Sequence, residues 1–179
     1  MGRILRKNFF NRPTLTVAKE LLGTFLVRKI TNRKIAGMIT EVEAYVGPRD
    51  KASHASRGIT PRTKIMLGDA GRWYVYMIYG MHHCLNIVTE RKGYPAAILI
   101  RSVALTDGEL KKEISGPGRV CQYFEIDRRL NGTTVSKDTG LWIEDRCIKI
   151  KPRLIKRGTR IGVGYAGIWA QKPWRFSLQ

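Results

Sequence analysis

The chain has 179 residues, of which 43% are hydrophobic and 26% charged, and this balance excludes a disordered protein. Thirty-three lysines and arginines against 14 acidic residues give a formal net charge of +19. This excess indicates a polyanionic partner, with nucleic acid well ahead of a membrane surface, because no apolar run reaches the length that spans a bilayer.

Residues 1–11 are basic, but they contain neither the apolar stretch nor the cleavage site of a secretory signal, so we expect an intracellular protein. Residues 13–23 are predicted to form a short structural helix, because Val17, Leu21 and Leu22 form an apolar stripe and Gly23 can end it. The length predicts one domain over residues 1–179 that folds alone.

Five runs of β-branched and aromatic residues follow, and each is predicted to be a strand. They are residues 24–30, 35–45, 73–79, 84–89 and 96–102. Most connections between them are short, so the sheet should be largely antiparallel. The connection at residues 46–72 is long for a compact domain and is expected to border the functional site.

In the second half of the chain, GPG at residues 116–118 precedes an apolar helical pattern and predicts a helix that packs on the sheet. Residues 131–132 indicate a tight turn, and residues 141–150 predict another strand. Together these elements predict an α+β fold: a single domain in which helices pack on a curved, mostly antiparallel β-sheet.

The cysteines are widely spaced and odd in number, so we expect reduced, buried thiols rather than a disulfide framework or a zinc ribbon. They are Cys84, Cys121 and Cys147. His82, His83 and Cys84 are adjacent and cannot all point at one ion from a strand, so no metal ion and no cofactor is expected.

Residues 146–179 carry nine lysines or arginines and no acidic residue. This basic C-terminal segment is the candidate phosphate-contacting surface. Its cations include Lys149, Lys151, Arg153, Lys156, Arg157 and Arg160.

Two acids and an aromatic residue share one face of the strand predicted at residues 35–45. The period of two places Glu41, Glu43 and Tyr45 on that face. A solvent-exposed strand face would explain this pattern equally well. Because a carboxylate near bound phosphates works against affinity, however, the acids suggest another task, such as activating water.

The strand predicted at residues 73–79 is rich in tyrosine. Its period places Tyr74 and Tyr76 on one face and Tyr79 on the opposite face, beside Gly80. Core packing is the expectation for Tyr74. A group of tyrosines near acids nevertheless suits a flat, electron-poor ring better than a plain core.

Five blocks follow one another along nearly the whole chain: ITEVEAYVGPRDKASHASRGITPR, YVYMIYGMHHCLNIV, AAILIRSV, SGPGRVCQ and RIGVGYAGIWAQKPWRF. In this order they resemble the alkyladenine (3-methyladenine) DNA glycosylase family. The resemblance implies a monofunctional enzyme of base excision repair that flips a damaged purine out of double-stranded DNA and hydrolyses its N-glycosidic bond. Implied substrates are 3-methyladenine and 7-methylguanine, with some activity on hypoxanthine and ethenoadenine. We expect a monomer, since reading one nucleotide needs no two-fold symmetry.

The resemblance also implies roles for individual residues. Glu43 is the general base that positions and deprotonates the attacking water. Tyr45, His54 and Tyr76 line the pocket around the flipped base. Tyr79 is the wedge that enters the minor groove and fills the space that the nucleotide leaves.

Three further residues follow from the same resemblance. Asn86 meets the purine edge and rejects guanine through its exocyclic amino group. Arg101 orients the water and the adjacent phosphate, and Ile161 offers its backbone carbonyl to that water. His82 and His83 stand where relatives often carry aromatic residues, so the surroundings of the wedge depart from the family pattern.

Two other functions fit the composition. A non-catalytic nucleic-acid-binding protein, for example for RNA, would stack bases on the aromatic strands. A basic structural or ribosome-associated domain would hold phosphates without any preference for lesions. Glu43 discriminates between these hypotheses and an enzyme, because a pure binder has no use for an acid in its stacking pocket.

Overall fold

The computed structural model describes residues 2–105 and 112–179. Its α-helices are α1 (Lys7–Phe10), α2 (Thr14–Leu21) and α3 (Pro117–Tyr123). Short 3-10 helices cover His54–Arg57, Lys64–Leu67, Arg128–Leu130, Pro152–Leu154 and Gly164–Trp169. The strands are β1 (Arg3–Ile4), β2 (Phe25–Ile30), β3 (Arg33–Val46), β4 (Trp73–Ile78), β5 (His82–Val88), β6 (Ala96–Leu105), β7 (Lys112–Ser115), β8 (Leu141–Asp145), β9 (Ile155–Gly158) and β10 (Arg175–Leu178).

All of these strands belong to one sheet, and every pairing between them is antiparallel. The main path runs β1-β8-β2-β3-β6-β5-β4, while β10 joins β3 to β9 and β7 pairs with β6. Helix α2 packs on β3, and α3 packs on β5 and β6. The predicted α+β class, with helices on a mostly antiparallel sheet, is therefore confirmed.

The two central strands, β3 and β6, each change neighbours partway along. One edge of β3 pairs first with β2 and then, over residues 41–43, with β10. One edge of β6 pairs with β5 over residues 97–99 and with β7 over residues 102–105. Between the two strands the register is irregular from Ile39 to Val42, opposite Arg101. Irregular pairing of this kind bends a strand locally and re-aims the side chains next to it.

The hydrophobic core lies between the sheet and the helices. Its largest fully buried aromatic side chains are Phe10, Trp73, Phe124 and Phe176. Burial of each contributes about 1.5–3 kcal/mol of apolar transfer free energy. The indole N–H of Trp73 donates to the backbone carbonyl of Leu141 at 3.1 Å, so even its polar atom is satisfied.

Helix and strand ends differ from the prediction in several places. The helix predicted over residues 13–23 covers Thr14–Leu21, and Gly23 follows it with a φ of 84°. The strand predicted over residues 141–150 ends at Asp145, because Cys147 adopts a φ of 63° and its N–H donates to the Asp145 carboxylate at 2.7 Å. Strands β1, β7, β9 and β10 were not predicted, since each has only two to four residues.

Cys84 and Cys121 are buried free thiols as predicted, but Cys147 is exposed because it lies in the turn after β8. No helix within residues 2–105 and 112–179 is long and apolar enough to cross a membrane.

Candidate active site

A row of directly opposed residues crosses five neighbouring strands. In the order β4, β5, β6, β3 and β10 it consists of Tyr74, Asn86, Leu99, Glu43 and Arg175. Residues directly opposed in antiparallel strands project to the same face of a sheet. The register therefore brings an acid, an amide and a tyrosine from distant parts of the chain to one surface.

A cavity of about 210 Å³ lies over this row. Its volume is below the roughly 300–1,000 Å³ of pockets for drug-sized ligands, so it suits one flat ring system rather than an extended molecule. Every one of the eight predicted site residues lines it. These are Glu43, Tyr45, His54, Tyr76, Tyr79, Asn86, Arg101 and Ile161.

Glu43 is an acid that lines the cavity, and its side chain is 0% exposed. One carboxylate oxygen, Oε1, accepts the backbone N–H of Ile161 at 2.8 Å, and the other accepts the hydroxyl of Tyr45 at 2.8 Å. Arg101 Nη1 lies 3.4 Å from Oε1. Burial raises the pKa of Glu43, while Arg101 and the two donors act in the opposite direction. The carboxylate is thus fixed in one position and its pKa is shifted toward neutral pH.

A second acid, Glu41, ties two arginines to the site. Its Oε1 lies 3.3 Å from Arg101 Nε and 3.0 Å from Arg175 Nη1, and its Oε2 accepts the Ser102 hydroxyl at 2.9 Å. Arg101 therefore bridges the two carboxylates of Glu41 and Glu43. The prediction that Glu41 and Glu43 share one face is confirmed by their common contact with Arg101. The supporting role of Glu41 was not predicted.

His54 begins the 3-10 helix His54–Arg57, in the long connection that was expected to border the site. Its Nδ1 lies 3.0 Å from the Tyr74 hydroxyl, and its ring meets Tyr76 edge-on at a centroid distance of 4.8 Å. Burial lowers the pKa of His54 to about 4, helped by the nearby positive charges of Arg62 and Arg57. The imidazole is therefore neutral at physiological pH.

Tyr74 does more than pack in the core, which was its predicted role. It is almost fully buried, yet it lines the cavity and its hydroxyl is the partner of His54. Its carbonyl accepts the amide N–H of Asn86 at 3.2 Å, which orients that side chain. Burial raises the pKa of Tyr74 to about 12, and it raises the pKa of Tyr76 further, so both phenols stay neutral.

Tyr79 lies at the mouth of the cavity, so the prediction that it occupies the face opposite Tyr74 and Tyr76 is wrong. Strand β4 ends at Ile78, and Tyr79 has a φ of 52° in the turn that follows. Alternation of side chains holds only while a strand continues, and the turn swings Tyr79 to the cavity side. Its side chain is exposed, the residue as a whole being 87% accessible.

Arg160 is buried, which contradicts its assignment to the phosphate-contacting surface. Its guanidinium pairs with both oxygens of the Asp50 carboxylate, at 2.5 and 2.8 Å. It also donates to the backbone carbonyls of Ala44 and Trp169. This pair ties the segment that carries Ile161 to the end of β3. No signal in the sequence singled out Asp50, because the contact joins residues 110 positions apart.

Other cations of the basic C-terminal segment are exposed. They are Lys149, Lys151, Arg153, Lys156, Arg157 and Lys172. Arg146 and Arg175 are partly buried and pair with Glu144 and Glu41. Within the described ranges 2–105 and 112–179, no three His, Cys, Asp or Glu side chains are grouped closely enough to hold a metal ion.

A family model and individual relatives that are similar to this chain carry matching descriptions. A family model described as methylpurine-DNA glycosylase matches residues 8–179. A relative from Methanocella arvoryzae is 46% identical over 185 residues, covering 97% of this chain and 91% of its own. Relatives from Myxococcus xanthus and Wolbachia pipientis subsp. Culex pipiens are 43% and 46% identical, covering 96% and 97% of this chain and 88% of their own. The names of all three include the words 3-methyladenine DNA glycosylase.

Proposed function

Because the chain belongs to the methylpurine-DNA glycosylase family, we propose that it is a monofunctional DNA glycosylase of base excision repair. It flips an alkylated purine, such as 3-methyladenine or 7-methylguanine, out of double-stranded DNA and hydrolyses the N-glycosidic bond. Hypoxanthine and ethenoadenine are additional substrates in this proposal. The observation that carries it is the buried Glu43 carboxylate, held by two hydrogen bonds against an aromatic cavity.

In the proposed reaction a water oxygen forms a bond to the anomeric carbon while the bond from that carbon to the purine nitrogen breaks. The purine leaves with the electron pair of the broken bond, and Glu43 accepts the proton of the water. Its negative charge also stabilises the oxocarbenium-like sugar. The pKa of Glu43, raised by burial, suits a base that works near neutral pH.

Neighbouring groups position that water. In the proposal, Arg101 orients the water and the adjacent phosphate, and the backbone carbonyl of Ile161 accepts a hydrogen bond from the water. The N–H of the same Ile161 residue already holds Glu43. An alkylated purine is positively charged and needs little acid help to depart, so one carboxylate suffices for such substrates.

Selection of the damaged base is assigned to the cavity wall. Tyr45, His54 and Tyr76 surround the flipped base, and stacking of this kind is worth about 1–3 kcal/mol per base. A cationic ring gains more over a tyrosine face, and the neutral His54 adds no repulsion. Asn86, with its amide held by the Tyr74 carbonyl, rejects guanine through the exocyclic amino group.

Binding of the duplex is assigned to two features outside the cavity. Tyr79 stands exposed at the cavity mouth and is proposed to fill the space left by the flipped nucleotide. In this proposal the protein acts as a monomer. The exposed cations of the basic C-terminal segment contact phosphates. These contacts account for the excess positive charge of the chain.

A non-catalytic nucleic-acid-binding protein is the less favourable alternative. Removing a carboxylate from water costs several kcal/mol before its partners compensate, and a protein that only stacks bases gains nothing from that cost. An acid placed among donors at the end of an aromatic cavity is instead what activation of water requires.

The test is to incubate the purified protein with duplexes that contain 3-methyladenine, ethenoadenine or hypoxanthine and to measure free base. Release of at least one modified purine, with the sugar-phosphate strand left intact until alkali is added, supports a monofunctional glycosylase. Absence of release from every duplex over a range of pH and salt would refute the proposal. Equal binding to a plain duplex and to one with an abasic-site mimic would favour a structural nucleic-acid binder.

A further inference from the structure

Two tyrosines of the cavity wall each have a guanidinium against one face of the ring. The Cζ of Arg160 lies 4.9 Å from the ring centroid of Tyr45, and that of Arg62 lies 4.6 Å from the centroid of Tyr76. Asp50 neutralises Arg160. Arg62, by contrast, has no carboxylate within 4 Å among residues 2–105 and 112–179.

Arg62 does not line the cavity. It lines a shallow groove that also borders Tyr76, together with Met77 and Arg128, and its Nη2 donates to the Met77 carbonyl at 3.2 Å. Tyr76 borders both the groove and the cavity, and the guanidinium lies over one face of its ring. A base stacked on the other face of Tyr76 would therefore have the ring between itself and the guanidinium. A ring that already has a cation on one face attracts a second cation on the other face less strongly, because the two charges repel.

The charge of Arg62 also reaches the other polar groups of the wall. It contributes to the lowering of the pKa of His54, after burial, and it opposes the rise that burial causes in the pKa of Tyr74. Three adjacent groups of the wall, Tyr76, Tyr74 and His54, thus lie within the electrostatic influence of one arginine.

We propose that Arg62 is a specificity-determining residue that weakens the preference of the cavity for cationic purines and favours neutral ones. This inference rests on the proposed glycosylase function and extends it to the choice between two lesion classes. A cationic purine loses positive charge as it leaves, and a neutral purine gains negative charge. At each stage the base of the cationic lesion is therefore more positive by about one unit, and Arg62 acts on that difference throughout the reaction.

The size of the effect follows from distance. A base stacked about 3.5 Å beyond the Tyr76 ring would lie about 8 Å from the guanidinium. Coulomb's law then gives a change in selectivity of about two-fold in a dielectric of water and about thirty-fold at an effective dielectric of about 20. Arg62 is exposed on its outer side. We therefore expect an intermediate value of about ten-fold.

The experiment compares excision of 7-methylguanine, a cation, with excision of hypoxanthine, a neutral base. The enzyme concentration is kept below the level that saturates the DNA. The observed rate constants then report the free-energy difference between the free enzyme and DNA and the transition state. Arg62→Gln removes the charge, and Arg62→Lys keeps it. The expected result is that the ratio of the 7-methylguanine rate to the hypoxanthine rate rises about ten-fold in Arg62→Gln and stays within about two-fold of the wild type in Arg62→Lys.

Any contact of Arg62 with a phosphate cancels from this ratio, because both duplexes lose it equally. An unchanged ratio in Arg62→Gln overturns the proposal, and so does an equal rise in both variants, which would reveal an effect of shape rather than charge. If thermal melting shows that Arg62→Gln does not fold, Arg62→Met, which keeps an aliphatic side chain, serves as the neutral variant instead. If the wild-type protein releases neither of these two bases but does release 3-methyladenine or ethenoadenine, this inference fails and the proposed function stands. If it releases no modified purine at all, both fail.

Discussion

The backbone N–H of Ile161 donates to Glu43 Oε1 at 2.8 Å, across 118 positions of the sequence. The position of the buried carboxylate therefore depends on a segment near the end of the chain. That segment is in turn fixed by Arg160, which pairs with Asp50 and with the carbonyl of Ala44, the residue next to Glu43. Glu43, the candidate general base, and β3, the strand that carries it, are therefore both held by residues 160–161.

Replacement of Glu43 by glutamine should abolish most base release. The amide of the Glu43→Gln side chain cannot accept a proton from water, and loss of a general base lowers rates by roughly 10²–10⁴-fold. Single-turnover release of base from a 3-methyladenine or ethenoadenine duplex gives the rate, and a gel-shift titration gives duplex affinity, which should persist. Glu20→Gln, in an exposed pair with Arg12, is the control. A rate for the Glu43 variant within a few-fold of wild type would exclude Glu43 as the base.

Removing the charge of Asp50 should destabilise the whole protein. Asp50→Asn leaves the buried Arg160 guanidinium without its counter-charge, and breaking a buried pair in this way costs about 3–5 kcal/mol of unfolding free energy. Urea denaturation measures the loss. Glu20→Gln should cost less than about 1 kcal/mol, because its pair is exposed. Equal losses of unfolding free energy in the two variants would mean that the buried pair of Asp50 and Arg160 does not stabilise the protein more than an exposed pair does.

Tyr79→Ala should weaken recognition of damage more than binding of plain DNA. The side chain is exposed and projects from a turn, so its removal should leave thermal stability unchanged. Without the ring, nothing fills the space of the flipped nucleotide. Fluorescence anisotropy with ethenoadenine and undamaged duplexes measures the two affinities, and Tyr79→Phe should behave like the wild type. The wedge role is wrong if alanine weakens binding to both duplexes by the same factor.

Stability should depend on pH through His54. Unfolded His54 binds a proton near pH 6.5, whereas burial lowers the pKa of the folded residue to about 4. The unfolded state therefore binds more protons than the folded state between these two pH values. The contribution of His54 to the free energy of unfolding is fully present above pH 6.5 and is lost as the pH falls toward 4. After allowance for partial exposure of the ring, the loss should be about 1–2 kcal/mol.

Urea denaturation of wild type and His54→Gln between pH 7 and pH 4 isolates this contribution, because other titrating groups are common to both proteins. The variant should show the shallower pH dependence. Identical slopes would mean that His54 is not held neutral in the folded protein.

DNA affinity should fall steeply with salt, and the basic C-terminal segment should account for part of the slope. Each cation that contacts a phosphate contributes about 0.9 to the slope of log affinity against log salt concentration. A Lys156→Gln, Arg157→Gln double variant should therefore reduce the slope by about 2. Lys29→Gln, which removes an exposed charge from β2, is the control. An unchanged slope in the double variant would place phosphate binding elsewhere.

Local pattern was sufficient to predict the long strands and the acids of β3. Alternation located Glu41, Glu43 and Tyr45 on one face, since side-chain period depends only on neighbouring residues. The same rule failed at Tyr79, because this residue follows the end of β4 and has a positive φ of 52°, so the alternation of the strand no longer applies to it. Family resemblance, rather than pattern, added His54, Asn86 and Ile161 to the cavity.

What the sequence did not reveal depends on long-range register. The salt bridge of Arg160 with Asp50 joins positions with no shared motif, and its burial reverses the expectation that a cation in a basic segment faces phosphates. The short strands β9 and β10 exist because they pair with each other and with β3, not because their residues alternate. Such contacts are decided by tertiary packing, which single-residue propensity does not contain.

The row of opposed residues that crosses five strands makes the cavity sensitive to insertions and deletions rather than to substitutions alone. One extra residue in β5 just before Asn86 would turn Asn86 away from the cavity and bring the core residue Ile87 to the cavity face, because a slip of one position inverts every side chain beyond it. Changes of chain length should therefore be confined to the connections between these strands. Single substitutions of the wall residues leave this register intact, whereas an insertion within any of the five strands does not.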